Sequence, residues 1–467
     1  MRRSATWSSV TMALSSVATR SRTTSRSRLE LNTRSMRKMP WYRSSVVRFR
    51  MGNGRLLSVK SPYSTKENET ITAIEAKGGK MNPLSIYIHI PFCIHKCGYC
   101  DFNSYALDNL LDQGHAGENW AESYSEAVIR ELKGRTRSLG LAERPVQTLF
   151  FGGGTPSLFP AAETARILAF IQENFDIDPD AEISLEANPG ASDTARLSAL
   201  REAGVNRLSI GVQSFDDDCL RRLERIHTGD DAREAFRSAR RAGFSNISID
   251  LMFGTPFQTL NQATADIEAG IELGPEHLSA YELTIEPGTN FGALHSRGEL
   301  HGLPDEDTAL AMWETRDRLL SAAGFERYEI SNFARPAFRC RHNLNYWNRG
   351  EYLGAGAGAH SLISGRRFWN LARPDHYAEK ADDPTAGEED VSGAEKALGE
   401  SLMLGLRLRE GVSLGDIARE CGGEPEEIFG GIFSALADQG LIERENKTVR
   451  LSRRGTLLAN QVLAKFL

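Results

Sequence analysis

The sequence predicts an α/β protein: a full or partial (β/α) barrel followed by a small winged-helix-like α+β domain. Three observations carry this prediction. From residue 85 onward, short apolar runs alternate with amphipathic stretches. The polar residues best suited to chemistry fall just after those runs. Near residue 380 the composition turns acidic and polar, and a helix–helix–hairpin–helix pattern follows. Strand-then-helix repeats imply parallel strands joined by right-handed crossovers, and in a barrel of such units functional groups gather at the strands' C-terminal ends.

The elements follow in order. Residues 1–50 carry eleven Arg and Lys38 against the single acid Glu30, a net of +11 in a chain whose total is −6. Residues 51–467 therefore sum to −17. The Arg, Ser and Thr richness of residues 1–55, without a compact apolar core, is the composition of an organellar transit peptide. Its Arg content points to the mitochondrion, with a plastid as the alternative; a disordered basic tail would share the composition. Residues 56–80 are polar and are expected to be a linker. The main domain spans 81–380. Its strand-like runs are SIYIHI (85–90), TLFFGG (148–153), EISLEA (182–187), RLSIGV (207–212), NISIDL (246–251) and HLSAYEL (277–283), with RYEISNF (327–333) a further candidate. Helix-like stretches at 121–138, 161–174, 193–203, 231–242, 260–273 and 305–323 lie between or beyond them. Residues 381–392 are expected to be a second linker, and 393–467 the C-terminal domain.

Several classes are excluded early. A hydrophobic content of 40% and a charged content of 25% are ordinary for a globular protein. No run of eighteen apolar residues exists, so no transmembrane segment is expected. Winged helices often bind DNA, yet the body is acidic and the only basic patch in the tail is Arg444, Lys447, Arg450, Arg453 and Arg454. Nucleic acid is not an expected partner.

Six cysteines are present: three together at 93, 97 and 100, and Cys219, Cys340 and Cys421 scattered. The scattered three have the distribution of buried or incidental thiols. The spacing C-x3-C-x2-C, in a tight loop just after a strand, calls for a soft metal centre, either an iron–sulfur cluster or zinc. A Cys3His zinc site would have to recruit His95 from within the loop, and no second pair of ligands exists elsewhere. Three thiolates on a four-iron cube leave one iron open to an exogenous ligand.

That loop, with Tyr99 before its last cysteine, resembles the motif of the radical S-adenosylmethionine (SAM) superfamily. The resemblance implies that Cys93, Cys97 and Cys100 hold a [4Fe-4S] cluster, that SAM chelates the open iron, and that a reducing electron donor is needed to cleave it. FFGGGTP (150–156) resembles the superfamily's glycine motif, which gives Gly153, Gly154 and Thr155 a role at the amino group of SAM. Glu186 in SLEANP and Asp250 in SIDLMFG end apolar strands, where a buried acid needs a partner; a surface salt bridge is the plain alternative. Gln213 in GVQSF and Arg225 in RRLERIHTG fit polar contacts to the same ligand. Tyr87 and Tyr99 flank the cysteines and suit adenine or methionine packing.

YIHIPFC, GGGTPS, GVQSF, RLERIHT and IDLMFGTP together resemble the oxygen-independent coproporphyrinogen III oxidase family over residues 85–467. In that family Tyr87, Tyr99, Gly153, Gly154, Thr155, Glu186, Gln213, Arg225 and Asp250 stand at the SAM-contacting positions. Its decarboxylating enzymes resemble C-x3-C-x2-C-x-C, whereas Phe102 occupies the last position here. That departure, and H-N-x-x-Y-W at 342–347, resemble the HemW-type haem chaperone branch, with haem as cargo and haem-accepting respiratory proteins as partners. On this resemblance His342 is a candidate haem ligand, Tyr346 and Trp347 suit packing on the macrocycle, and Arg339 and Arg341 suit its propionates. His360 is a second candidate histidine. The alternative is anaerobic decarboxylation of coproporphyrinogen III.

Overall fold

The computed structural model describes residues 83–467 except 115, together with the backbone of two short strands nearer the N-terminus. Those two, Val46–Arg50 and Leu56–Lys60, pair antiparallel in a compact unit of their own. The rest of the expected transit peptide and first linker lies outside the described residues.

In the larger unit the six expected strands all form: β1 (Leu84–Ile90), β2 (Pro145–Gly153), β3 (Asp176–Ala187), β4 (Arg207–Gln213), β5 (Ile247–Phe253) and β6 (His277–Glu282). Each pairs parallel with the next. Strand β1 is buried at every position, as a parallel strand covered on both faces must be. Helices α1 (Trp120–Leu139), α2 (Ala161–Asn174), α3 (Thr194–Glu202), α4 (Gly229–Arg241), α5 (Leu260–Glu272) and α6 (Glu306–Ala322) stand close to the expected spans. Local chemistry sets their starts. Thr228 with Asp231, and Thr259 with Gln262, form reciprocal capping boxes at α4 and α5.

Helix α1 shows how a stripe becomes core. Tyr124, Ala127, Val128, Glu131 and Leu132 recur at helical spacing and are all buried. Burying Val128 and Leu132 contributes about 1.5–3 kcal/mol each. Glu131 is held by Gly356 N (3.0 Å), Asn370 Nδ2 (2.7 Å) and the Tyr377 hydroxyl (2.7 Å). Three donors make a buried carboxylate tolerable there.

Two expectations need correction. RYEISNF is not one strand. It breaks into β7 (Glu326–Arg327) and β8 (Asn332–Ala334), antiparallel to each other, because Glu329 turns back to accept from Ser331 N at 3.0 Å. Residues 381–392 are not a linker either, since β12 (Thr385–Asp390) lies on the main sheet. Its acids explain why it escaped notice. Glu388 pairs with Arg366 and Glu389 with Lys396, so charges that look like solvated linker are held across an edge strand. The seventh parallel strand is β9 (Tyr352–Ala355), beside β1; β10 (His360–Ile363) and β11 (Arg366–Asn370) lead on to β12. The twelve strands run β7-β8-β6-β5-β4-β3-β2-β1-β9-β10-β11-β12, so the barrel is partial.

The C-terminal domain matches the expected winged-helix outline. Helices α8 (Ala394–Gly405), α9 (Leu414–Cys421) and α10 (Pro425–Asp438) pack beside a three-stranded antiparallel sheet of residues 412–413, 442–445 and 448–451. The expected last helix is split into short turns at 453–457 and 459–463. This domain shares one apolar core with the barrel: Leu398, Leu402, Leu406 and Phe433 pack with Tyr346, Trp347, Tyr352 and Leu362. Helix α7 (Arg341–Trp347), which carries H-N-x-x-Y-W, is thus the seam between the two. The basic patch is largely neutralised, with Arg444, Arg450 and Arg453 paired to Glu426, Glu443 and Glu314. Among the described residues no helix is long and apolar enough to cross a membrane.

Candidate functional site

Strand β1 delivers the chain to the cysteine loop. Phe92–Cys93 pairs with Tyr105–Ala106 and closes residues 93–105 into a ring. Inside it, Cys100 N donates to Cys97 O at 3.1 Å. Cys93 is buried, and Cys97 and Cys100 are half-buried. Each sulfur meets a polar group: Thr155 Oγ1 lies 3.5 Å from Cys93 Sγ, Arg225 Nη1 3.6 Å from Cys97 Sγ, and Ser104 Oγ 3.8 Å from Cys100 Sγ. Donors of this kind stabilise thiolate over thiol. Without metal, burial pushes the Cys93 thiol up and the Cys100 thiol up to about 11. Metal binding must therefore displace protons here.

The donor set fits a cluster better than zinc. Among the described residues no three His, Cys, Asp or Glu side chains converge as a single ion requires. A four-iron cube is gripped instead at three separate corners. His95, within the loop, is exposed.

The glycine run ends β2 against this loop. Gly153 has φ +118°, and a Cβ there would sit 2.5 Å from the His89 ring. Only glycine fits that position. Gly154 N donates to Ile90 O and Thr155 N to Phe92 O, both at 2.8 Å, which pins the run to the cysteine loop. Glu186 accepts from Gly153 N at 2.9 Å, and burial pushes its carboxyl up to about 7. Asp250 accepts from Ser209 Oγ (2.9 Å) and Ser248 Oγ (3.1 Å), and burial raises it too. Two buried acids raised in this way favour a cationic or hydroxyl-bearing guest, and the ammonium, sulfonium and ribose of SAM supply both. Gln213 sits at a bulge in β4 with φ +67°. Tyr87 donates to His89 Nδ1 (3.0 Å), because Nε2–H is committed to Asn103 O at 2.8 Å. Burial holds His89 down at about 4, so the ring stays neutral. Tyr99 lies edge-on to Phe291, with ring centroids 6.3 Å apart.

All twelve expected cluster and SAM residues line one cavity of about 300 Å3, and Phe102 lines it as well. Asn188, two residues beyond Glu186, was not singled out from sequence. It donates to Thr155 Oγ1 (2.8 Å) and accepts from Arg225 Nη2 (2.8 Å), so it positions two of the three groups that meet sulfur. Its only trace in the sequence is its place in SLEANP.

The cavity continues away from the cysteines past His277, Tyr281, Trp313, Glu329, His342, Trp347 and Arg407, and reaches Thr456 and Asn460 of the C-terminal domain. Here a third set of sequence expectations needs correction. His342 is 1% exposed, and its two ring nitrogens are bonded to Thr148 Oγ1 (2.8 Å) and the Tyr346 hydroxyl (3.1 Å). Burial holds it neutral, at about 3. Ligating haem iron would break one of those bonds, so the geometry is that of a structural histidine. Arg339 pairs with Glu410 (2.8 Å), and Arg341 donates to Asp180 O (2.6 Å); neither lines the cavity. Tyr346 and Trp347 do line it, but most of their surface is in the interdomain core. His360 stacks on Trp369 outside the cavity lining.

A partial parallel barrel, three loop cysteines after its first strand and carboxylates ending later strands define a radical SAM protein. The family model for the radical SAM superfamily matches residues 87–268, and that for the HemN C-terminal domain matches 394–458. The haem chaperone HemW of Bacillus subtilis (strain 168) is 38% identical over 388 residues, covering 82% of this chain and 99% of that protein. The haem chaperone HemW of Escherichia coli (strain K12) is 44% identical over 286 residues, covering 61% and 71%. Among solved structures, coproporphyrinogen III oxidase (HemN) from Escherichia coli superposes with a TM-score of 0.71 at 25% identity, covering 83% of this chain and 91% of that one. The chain belongs to the HemW haem chaperone family.

Proposed function

We propose that this protein binds haem in the cavity and hands it to respiratory haem proteins, with a [4Fe-4S] cluster and SAM at the cysteine end. The observation that carries the reading is near full-length similarity to a HemW haem chaperone, joined to a cavity running from the cysteines to an aromatic, cationic far wall. Cys93, Cys97 and Cys100 would hold the cluster, which when bound supplies an electron and an open iron for SAM. The chain's own residues do the rest. Thr155 and Arg225 donate toward sulfur, Asn188 fixes both, and Glu186 and Asp250 face the ligand's positive charge and hydroxyls. Tyr87, Tyr99, Gly153, Gly154 and Gln213 complete that pocket. The hydroxyl of Tyr87, tied to neutral His89, has a fixed direction. Phe102 stands where the oxidase pattern has a fourth cysteine, so decarboxylation is not expected.

The test uses the full chain with its cluster rebuilt anaerobically. Haem titration should give a saturable Soret shift, while coproporphyrinogen III with SAM and a strong reductant should give no divinyl product. Multiple-turnover formation of that product would make the protein an oxidase instead. The basic, acid-poor residues 1–55 further support import into a mitochondrion rather than a plastid. A fluorescent protein fused behind those residues should then co-localise with a mitochondrial marker; diffuse fluorescence would refute import.

A further inference from the structure

Three buried arginines line the cavity beyond the SAM-facing residues, and their partners differ. Arg316 is fully engaged: it donates to Ala280 O (2.9 Å) and bonds Asp317 at 2.8 Å. Arg207 lies among Glu182, Asp250 and the Cys340 thiol, whose fields together raise its pKa against the cost of burial. Arg407 has no such company. It is 8% exposed, its Nε is buried without a partner, and among the described residues no hydrogen bond or ion pair reaches its guanidinium. Glu329 and the Tyr281 phenol are its nearest opposing groups, and burial outweighs both, lowering its pKa. What holds it is the Trp347 indole, whose ring centroid lies 4.4 Å from the guanidinium carbon. A buried cation with no ion pair is costly and is normally neutralised by a partner.

We propose that Arg407 is a carboxylate anchor in the far half of the cavity, supplied by the C-terminal domain to grip a propionate of the bound porphyrin. The proposal rests on the haem-binding reading. Three features of the site match that chemistry. Aromatic rings stand beside Arg407, from Trp347 and Tyr281, and both line the cavity. The guanidinium has donors to spare for a bidentate carboxylate contact. Arg407 follows α8 directly, so the anchor belongs to the domain that closes the cavity rather than to the barrel that holds the cluster. The carboxylate of SAM's methionine has the same chemistry, but Arg225 already stands beside the cysteines where that group is expected.

The test compares haem with haem dimethyl ester, and wild type with Arg407→Leu and Arg407→Lys, in cluster-loaded full-length protein, with SAM binding measured in parallel. Arg407→Leu should weaken haem binding about tenfold or more, leave dimethyl ester binding within about twofold of wild type, and leave SAM binding unchanged. Arg407→Lys should recover part of the loss. Equal loss of haem and its diester, no loss of either, or loss of SAM binding alone would each overturn the anchor. If wild type binds neither porphyrin, the haem-binding reading itself fails, an outcome distinct from an intact haem site indifferent to Arg407.

Discussion

The two ends of the cavity are built on opposite plans. At the cysteine end, the groups that meet sulfur are themselves held: Asn188 locks Thr155 and Arg225, and backbone hydrogen bonds tie the glycine run to the cysteine loop. The far end borrows its walls from a second domain and leaves Arg407 without a hydrogen-bond or ion-pair partner among the described residues. Preorganisation suits a ligand set that must bind one small cofactor in one geometry. A buried cation without a hydrogen-bond partner suits a guest that enters and leaves, since binding supplies the partner and departure removes it. Between the two ends lies His342, with both ring nitrogens bonded.

The comparison can be broken or sharpened by measurement. The largest effect is expected for Cys93→Ala, which should abolish cluster retention: iron and sulfide per chain fall to near zero after reconstitution, while circular dichroism stays that of wild type. Retention of a full cluster would show that the near end is not its seat. Next, His342→Ala should lower stability by about 2–4 kcal/mol through a buried void and the orphaned Thr148 and Tyr346 hydroxyls. Denaturant midpoints check this, and a variant as stable as wild type that loses the haem Soret shift would restore the ligand role.

Glu186 offers a pH handle. Its carboxyl is raised to about 7 by burial, so the folded protein binds its proton more tightly than the unfolded chain does. The stability of the cofactor-free protein should be greatest below about pH 4.5 with respect to this group, fall as pH rises toward 7, and level off above. Glu186→Gln should shallow the slope over that range, to which Asp101, Asp266 and Glu286 also contribute, as read from melting temperatures; an unchanged slope would assign it to them alone. The smallest effect is expected for Arg453→Ala, which breaks an exposed pair with Glu314 on α6. Less than about 1 kcal/mol should be lost, and a larger loss would mean that the wall is pinned by charge rather than by its apolar core.

The near end was legible in the sequence because it is written in local chemistry. Cysteines, glycines and strand-terminal acids announce themselves by type and spacing, and the barrel's periodicity puts them together. The far end was not. Arg407 stands just past α8, and an arginine at such a place in a sequence is more often on a solvated face. Strand β9 hid in YLGAGAGAH, whose glycines argue against a strand, and β12 hid in acids that argue against any buried element. H-N-x-x-Y-W suggested a macrocycle platform, yet its aromatics went mainly to the joint between domains. No local pattern distinguishes those two uses of Tyr346 and Trp347.

Among the described residues the twelve-stranded sheet does not close, and each of its two margins invites a neighbouring molecule to add a strand. One margin here is β7, only two residues long. The other is β12, whose outward-facing residues Glu388 and Asp390 are exposed acids. A short margin gives an incoming chain little to zip onto, and a charged one repels it. The strand that the sequence disguises as a linker therefore offers an incoming chain charge rather than a flat apolar edge.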